Sequence, residues 1–257
     1  MNQWMVLFTK EWLEAKRNFK LLWIPLVFIL LGIMQPVSSY FLPDILEKAG
    51  DLPEGAVIDI PLPTSAEVIV STLSQFNQIG VLILTLAFMG IVAGERNSGV
   101  QEMILVKPVA FGFYITAKWL TAVVLGLFSF FLGMLAALYY TSLLIGDVTI
   151  VDFSKGILVY SIWLLFLITA LIFFSSFIKN SGIVAFLTIG LAIVLSTLSS
   201  LLSNWLSWSP GAIAGHAYAI IQTGSAMDGF GTSMVVVFVL IVLLLVGAVY
   251  LFKASRN

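Results

Sequence analysis

The sequence predicts an all-α integral membrane protein of six transmembrane helices. Both termini are read as cytoplasmic, residues 1–20 as an interfacial amphipathic helix, residues 21–257 as the transmembrane domain, and an outer re-entrant hairpin lies between spans five and six. Three observations carry this reading. Of 257 residues, 60% are hydrophobic and 10% charged, and mean hydropathy is +1.09; soluble domains run at roughly 45–50% apolar and about 25% charged. Six apolar stretches reach about the 20 residues that a helix needs to cross a bilayer. The lysines and arginines, finally, divide unevenly between the two sides that six crossings create.

The elements follow in order. At roughly 100° per residue, Trp4, Phe8, Trp12, Ala15 and Phe19 share one stripe, with Gln3, Lys10, Glu14, Arg17 and Asn18 opposite. Aromatic residues on one face and basic ones on the other suit a helix lying in the cytoplasmic interface, or a plain juxtamembrane anchor. Span one, about 21–42, tolerates Pro25 and Pro36 as membrane helices do. The largely polar and aromatic residues before it, and the lack of a small-x-small site after it, mark it as a retained helix rather than a signal peptide. The acidic, proline-rich stretch 43–63 reads as a solvated connection. Span two, about 66–93, starts at a Thr64-x-x-Glu67 capping box. Residues 94–118 form the longest cytoplasmic loop, with a helical turn or two over 101–106 that Pro108 ends. Spans three to six are about 119–145, 156–178, 183–203 and 232–252. Between the last two, Trp205 and Trp208 suit an interfacial belt, Pro210-Gly211 turns the chain, and 212–221 is apolar but too short to cross. A re-entrant or interfacial hairpin fits, as does an ordinary surface loop.

Orientation comes from positive charge, which accumulates in cytoplasmic loops. Ten of the 12 lysines and arginines fall on the side of the termini, leaving Lys48 and Lys155 on the other.

The same residues exclude several functions. A net charge of −1 does not suit nucleic-acid binding. With no cysteine and one histidine, thiolate sites, disulfides and multi-histidine metal sites cannot be built, and no metal ligand set or catalytic group is assigned. His216 reads as a hydrogen-bonded structural residue; the nearest serine-protease-like pattern, Asn180-Ser181-Gly182, lies on the opposite side. The span interiors lack charge, so proton- or sodium-coupled transport lacks its usual coupling group. Mild polarity remains at Gln35 and Ser38 in span one, Asn77 in span two, and Ser196, Ser200 and Ser203 on one face of span five. These residues form either a packing seam or the wall of a cavity suited to a lipid, a hydrophobic peptide or an amphiphilic antibiotic.

The run Glu95-Arg96-Asn97-Ser98-Gly99-Val100-Gln101-Glu102-Met103-Ile104-Leu105, then Pro108 and Lys118, resembles the loop of ABC-2-type ABC transporter permeases. Ser98-Gly99-Val100 replaces the family's usual Gly-Thr or Gly-Ser order, and Ile104-Leu105 stands for two leucines. The resemblance implies a coupling loop of Glu95, Arg96, Ser98, Gly99, Glu102, Ile104, Leu105, Pro108 and Lys118 docking on a separate ABC ATP-binding subunit. ATP and Mg2+ would be bound by that partner, since this chain has no phosphate loop and no ATPase site of its own. The resemblance further implies a second permease subunit, identical or related, contact with membrane lipid, and a multi-pass place in a bacterial plasma membrane as an exporter, with antibiotic resistance as one outcome. The alternative from the residues alone is a membrane scaffold or immunity protein that sequesters a toxic peptide without transport.

Overall fold

A computed structural model of the chain describes residues 3–49, 63–100, 110–203 and 205–254, the side chains of 44–49 excepted. The regular secondary structure of the described residues is all helical, with no strand among them. The helices are α1 (Gln3–Arg17), α2 (Lys20–Ala49), α3 (Ser65–Gln75), a π-helical turn (Phe76–Gly80), α4 (Val81–Phe88), α5 (Ala93–Asn97), α6 (Phe111–Leu144), α7 (Ile150–Phe177), α8 (Ser181–Leu201), α9 (Ala212–Thr223) and α10 (Phe230–Ala254). Among the described residues, six stretches are long and apolar enough to cross a membrane: Lys20–Pro43, Ser65–Asn97, Phe111–Leu144, Ile150–Phe177, Ser181–Leu201 and Phe230–Ala254.

Two expected boundaries move. Span three begins at Phe111 rather than near residue 119, so most of the stretch 110–118 is helix and not loop. Lys118 does not end the helix because its charge is neutralised inside the protein, as shown below. Span four begins at Ile150, where Asp152 and the exposed Lys155 occupy its first turns without interrupting it.

Local signals explain the other starts. Thr64 caps α3: the Glu67 amide donates to Thr64 Oγ1 at 3.3 Å, and the Thr64 amide donates to Glu67 Oε2 at 2.7 Å. Asn180 caps α8 by accepting from the Gly182 amide at 2.8 Å. Span two is not one continuous α-helix as its composition suggests; the π-helical turn interrupts it at Phe76–Gly80 and a second break separates α4 from α5.

α7 is the central post, with two thirds (67%) of its apolar window buried against 22% for α8 and for α10. Tyr160, Trp163, Ala170 and Ile172 on α7 are fully enclosed. Lipid is as apolar as these side chains, so contact between spans rests on close fit rather than on escape from water. The tightest fit is between α2 and α6, where a Cβ on Gly32 would stand 2.1 Å from the Gly133 carbonyl oxygen. The outward faces of α8 and α10, with Phe186, Leu201, Val235 and Tyr250 exposed, suit the acyl chains of a bilayer.

The first and last described helices both pack on the start of α6, at one end of the bundle. Trp4 Nε1 donates to Thr116 Oγ1 at 3.2 Å, and the Phe252 ring stacks on Tyr114 at 5.1 Å between centroids. This is the charged end; the opposite one is the serine end. α9 rises toward the serine end from within the bundle: Gly211, at its start, lies against Leu195 and Ser199, while Gly224, just past its end, lies beside Asp152 at the start of α7.

Candidate functional site

At the charged end, side chains from three helices form a buried ion cluster. Lys118 Nζ donates to Glu11 Oε1 at 2.8 Å and lies 2.9 Å from Glu95 Oε1. Lys10 Nζ bridges Glu11 at 2.9 Å, Glu14 at 2.7 Å and Glu95. Tyr114 donates its hydroxyl to Glu95 Oε2. Lys118 is 1% exposed, Glu11 6% and Glu95 8%, so these charges are removed from water and must satisfy one another. Burial alone would lower the pKa of the Lys10 ammonium; the Glu11 charge and the hydrogen bonds to Glu14 and Glu95 outweigh it and hold Lys10 above the ordinary lysine value. Carboxylate oxygens of Glu11, Glu14 and Glu95 lie within 4.8 Å of one another, a spacing that suits a cation. The ammonium groups of Lys10 and Lys118 already lie among them and supply that positive charge.

The cluster ties the amphipathic α1 to α5, at the end of span two, and to the start of α6. α5 is also tied to the end of α7: the Ala93 amide donates to Ser175 Oγ at 2.9 Å, and Arg96 Nη1 to the Ser176 carbonyl at 3.4 Å. Ser98 and Gly99 end α5, Gly99 in a left-handed conformation (φ 75°) that glycine adopts without steric cost.

This changes the role of several residues expected to meet a partner. Glu95 and Lys118 face inward and bind each other and α1, because an unpaired charge at that depth would be costly. Arg96 turns toward α7, while Ser98 is exposed. Glu102, Ile104, Leu105 and Pro108 lie outside the described residues. Glu11 and Tyr114 are members that sequence reasoning passed over. Glu11 carried a signal: it falls on the same helical stripe as Trp4, Phe8 and Ala15, where an acid needs a partner.

Toward the serine end a groove-like cavity of about 1200 Å³ opens between span two, α8 and α9. Asn77, Ser196, Ser200 and Ser203 all line it; Gln35 and Ser38, on α2, do not. The π-helical turn sets Asn77 at the centre of a polar bridge, with its Oδ1 accepting from Trp163 Nε1 at 2.8 Å and its Nδ2 donating to Ser196 Oγ at 3.5 Å. Such turns recur where a side chain has been re-aimed for function. Ser207 and Asp228 also line the groove and carried no signal in the sequence. His216 borders it, 1% exposed, with Nε2 hydrogen-bonded to Ser233 Oγ at 3.3 Å. Burial lowers its pKa below the ordinary histidine value and favours the neutral ring.

No family model matches the chain. The "Uncharacterized transmembrane protein YxlG" of Bacillus subtilis (strain 168) is 37% identical to it over 257 residues, spanning 100% of both chains. With its six membrane-length apolar helices and this end-to-end similarity, the chain belongs to the same family of membrane-spanning proteins as YxlG.

Proposed function

We propose that the chain is the permease subunit of an ATP-driven exporter of the ABC-2 type in a bacterial plasma membrane. It moves a lipid-like, peptide or amphiphilic-antibiotic substrate out of the cell, and a separate ATP-binding subunit supplies the work. The observation that carries the reading is the ion cluster of Lys10, Glu11, Glu95 and Lys118. It stiffens both roots of the segment 98–110, which leaves α5 and returns into α6, and it joins them to α1. A push on that segment therefore tilts spans two and three together with the interfacial helix, a rigid-body motion of the hinge and shear kind. Glu95 and Lys118 transmit the thrust as positioning residues, while Glu102, Ile104 and Leu105 make the contact. In this reading the charged end and both termini are cytoplasmic, and α9 with its flanks is the outer re-entrant hairpin. The groove faces a second permease subunit, because serine and asparagine side chains are poorly solvated by hydrocarbon.

The test is a mild-detergent pull-down of the tagged chain from its native membrane, comparing wild type with Glu102→Lys and identifying bound proteins by mass. Recovery of an ATP-binding subunit with wild type, reduced in the variant, is expected. An intact, folded chain that brings down no such subunit would favour the scaffold or immunity reading instead.

A further inference from the structure

The groove has a direction. Span two enters it with Ser74 and Asn77 and continues with Val81 and Leu82, all of which line the cavity. α8 runs the other way, from Ile189 and Ile193 to Ser200, with Ser203 just past its end. The contact between Asn77 and Ser196 sets the register of the two helices. The polar halves of both therefore coincide toward the serine end, and the apolar halves coincide toward the middle of the bundle. A volume of about 1200 Å³ exceeds the roughly 300–1,000 Å³ typical of pockets for drug-sized ligands, so a bulky head with a tail can be housed.

The groove also has a charge preference. No lysine or arginine is among the described residues lining it, and Asp228 is the one acid there. A phosphate, sulfate or carboxylate head would enter without the guanidinium or ammonium partner that such groups take when desolvated. The start of α9 borders the groove, but its first amides are engaged within the chain, Ala212 with the Ser209 carbonyl at 3.1 Å and Ile213 with that of Pro210 at 3.2 Å. Serine hydroxyls and carboxamides both donate and accept, which fits a head rich in hydroxyl or amide groups.

We infer that the groove binds an amphiphile whose head group is neutral or cationic, with the head among Asn77, Ser200, Ser203 and Asp228 and the tail against Leu82 and Ile189. This deepens the exporter reading and rests on it for the step of transport, although binding itself does not require ATP.

The chain contains no cysteine, so Ser203→Cys places a single reporter in the exposed part of the groove. The full chain is reconstituted in phosphatidylcholine nanodiscs, and the rate of maleimide modification is followed with three probes below their micellar concentrations: dodecyl maltoside, dodecyltrimethylammonium and dodecyl sulfate. A cysteine introduced by Ser154→Cys, exposed and outside the groove, corrects for general effects of the probes. The maltoside and ammonium probes should slow the reaction at concentrations about tenfold below any effect of the sulfate. Adding Asp228→Asn should abolish the advantage of the ammonium probe over the maltoside and leave protection by the maltoside unchanged. Equal or better protection by dodecyl sulfate, or protection by none of the three, overturns the inference. The pull-down of an ATP-binding subunit scores the exporter reading independently, since it does not involve the groove.

Discussion

Lys118 is the most deeply buried of the charged side chains described at the charged end. Its ammonium lies 2.8 Å from Glu11 and 2.9 Å from Glu95, nearly free of solvent contact. Lys118→Met removes the positive charge and leaves two buried carboxylates sharing Lys10, and breaking a buried pair from one side costs ~3–5 kcal/mol. The variant should melt well below wild type in detergent, and trypsin should cut faster at Lys16 and Arg17 as α1 detaches. Adding Glu95→Gln should recover part of the loss, because the two sites share one network. An unchanged melting temperature in the single variant would count against the cluster as a structural lock. The sequence made this cluster half legible. Glu11 on an apolar stripe announces a need for a partner, but the partner lies 107 positions away, and only tertiary packing brings it there.

At the scale of elements, the α2–α6 crossing is the most sensitive to added volume. A Cβ on Gly133 would stand 2.6 Å from the Phe28 carbonyl oxygen and 2.9 Å from the Phe76 ring, backbone and buried aromatic atoms that have little room to give. Gly133→Val should therefore separate the helices and destabilise the protein by at least the ~1–3 kcal/mol typical of overpacking. Gly190→Ala on α8 is the control: nothing stands within 4 Å of its Cβ position, so thermal unfolding should stay as in wild type or rise slightly. Equal stability of Gly133→Val and wild type would overturn the crossing as described. Elements whose signals are local were legible, as with the Thr64–Glu67 box and the apolar runs. The π-helical turn was not: Asn77 and Ser196 stand out as polar residues in apolar spans, but only tertiary packing shows that Asn77 bridges Trp163 and Ser196 on two other helices. The early start of α6 was hidden for a related reason: a lysine beside an apolar run reads as a boundary until its counter-charges are seen.

For the whole molecule, the proposed exporter turns on which end faces the cytoplasm. The exporter reading puts the end that holds the termini inside the cell, and the sequence assigns ten of the 12 lysines and arginines to that side, as the excess of positive charge in cytoplasmic loops requires. On that proposal the groove opens toward the outer half of the membrane, and the segment 98–110 is the part that a nucleotide-binding partner would push. The cysteine-free chain permits a direct test with single reporters at two exposed positions, Ser98→Cys just beyond α5 and Ser225→Cys between α9 and α10. A membrane-impermeant maleimide should label the Ser225→Cys protein in intact cells, and the Ser98→Cys protein only after the membrane is opened. The reverse pattern would leave the six-helix bundle and its ion cluster untouched, yet it would place the coupling segment outside the cell. Cytoplasmic ATP could not then act on that segment, and the exporter reading would fall on topology alone.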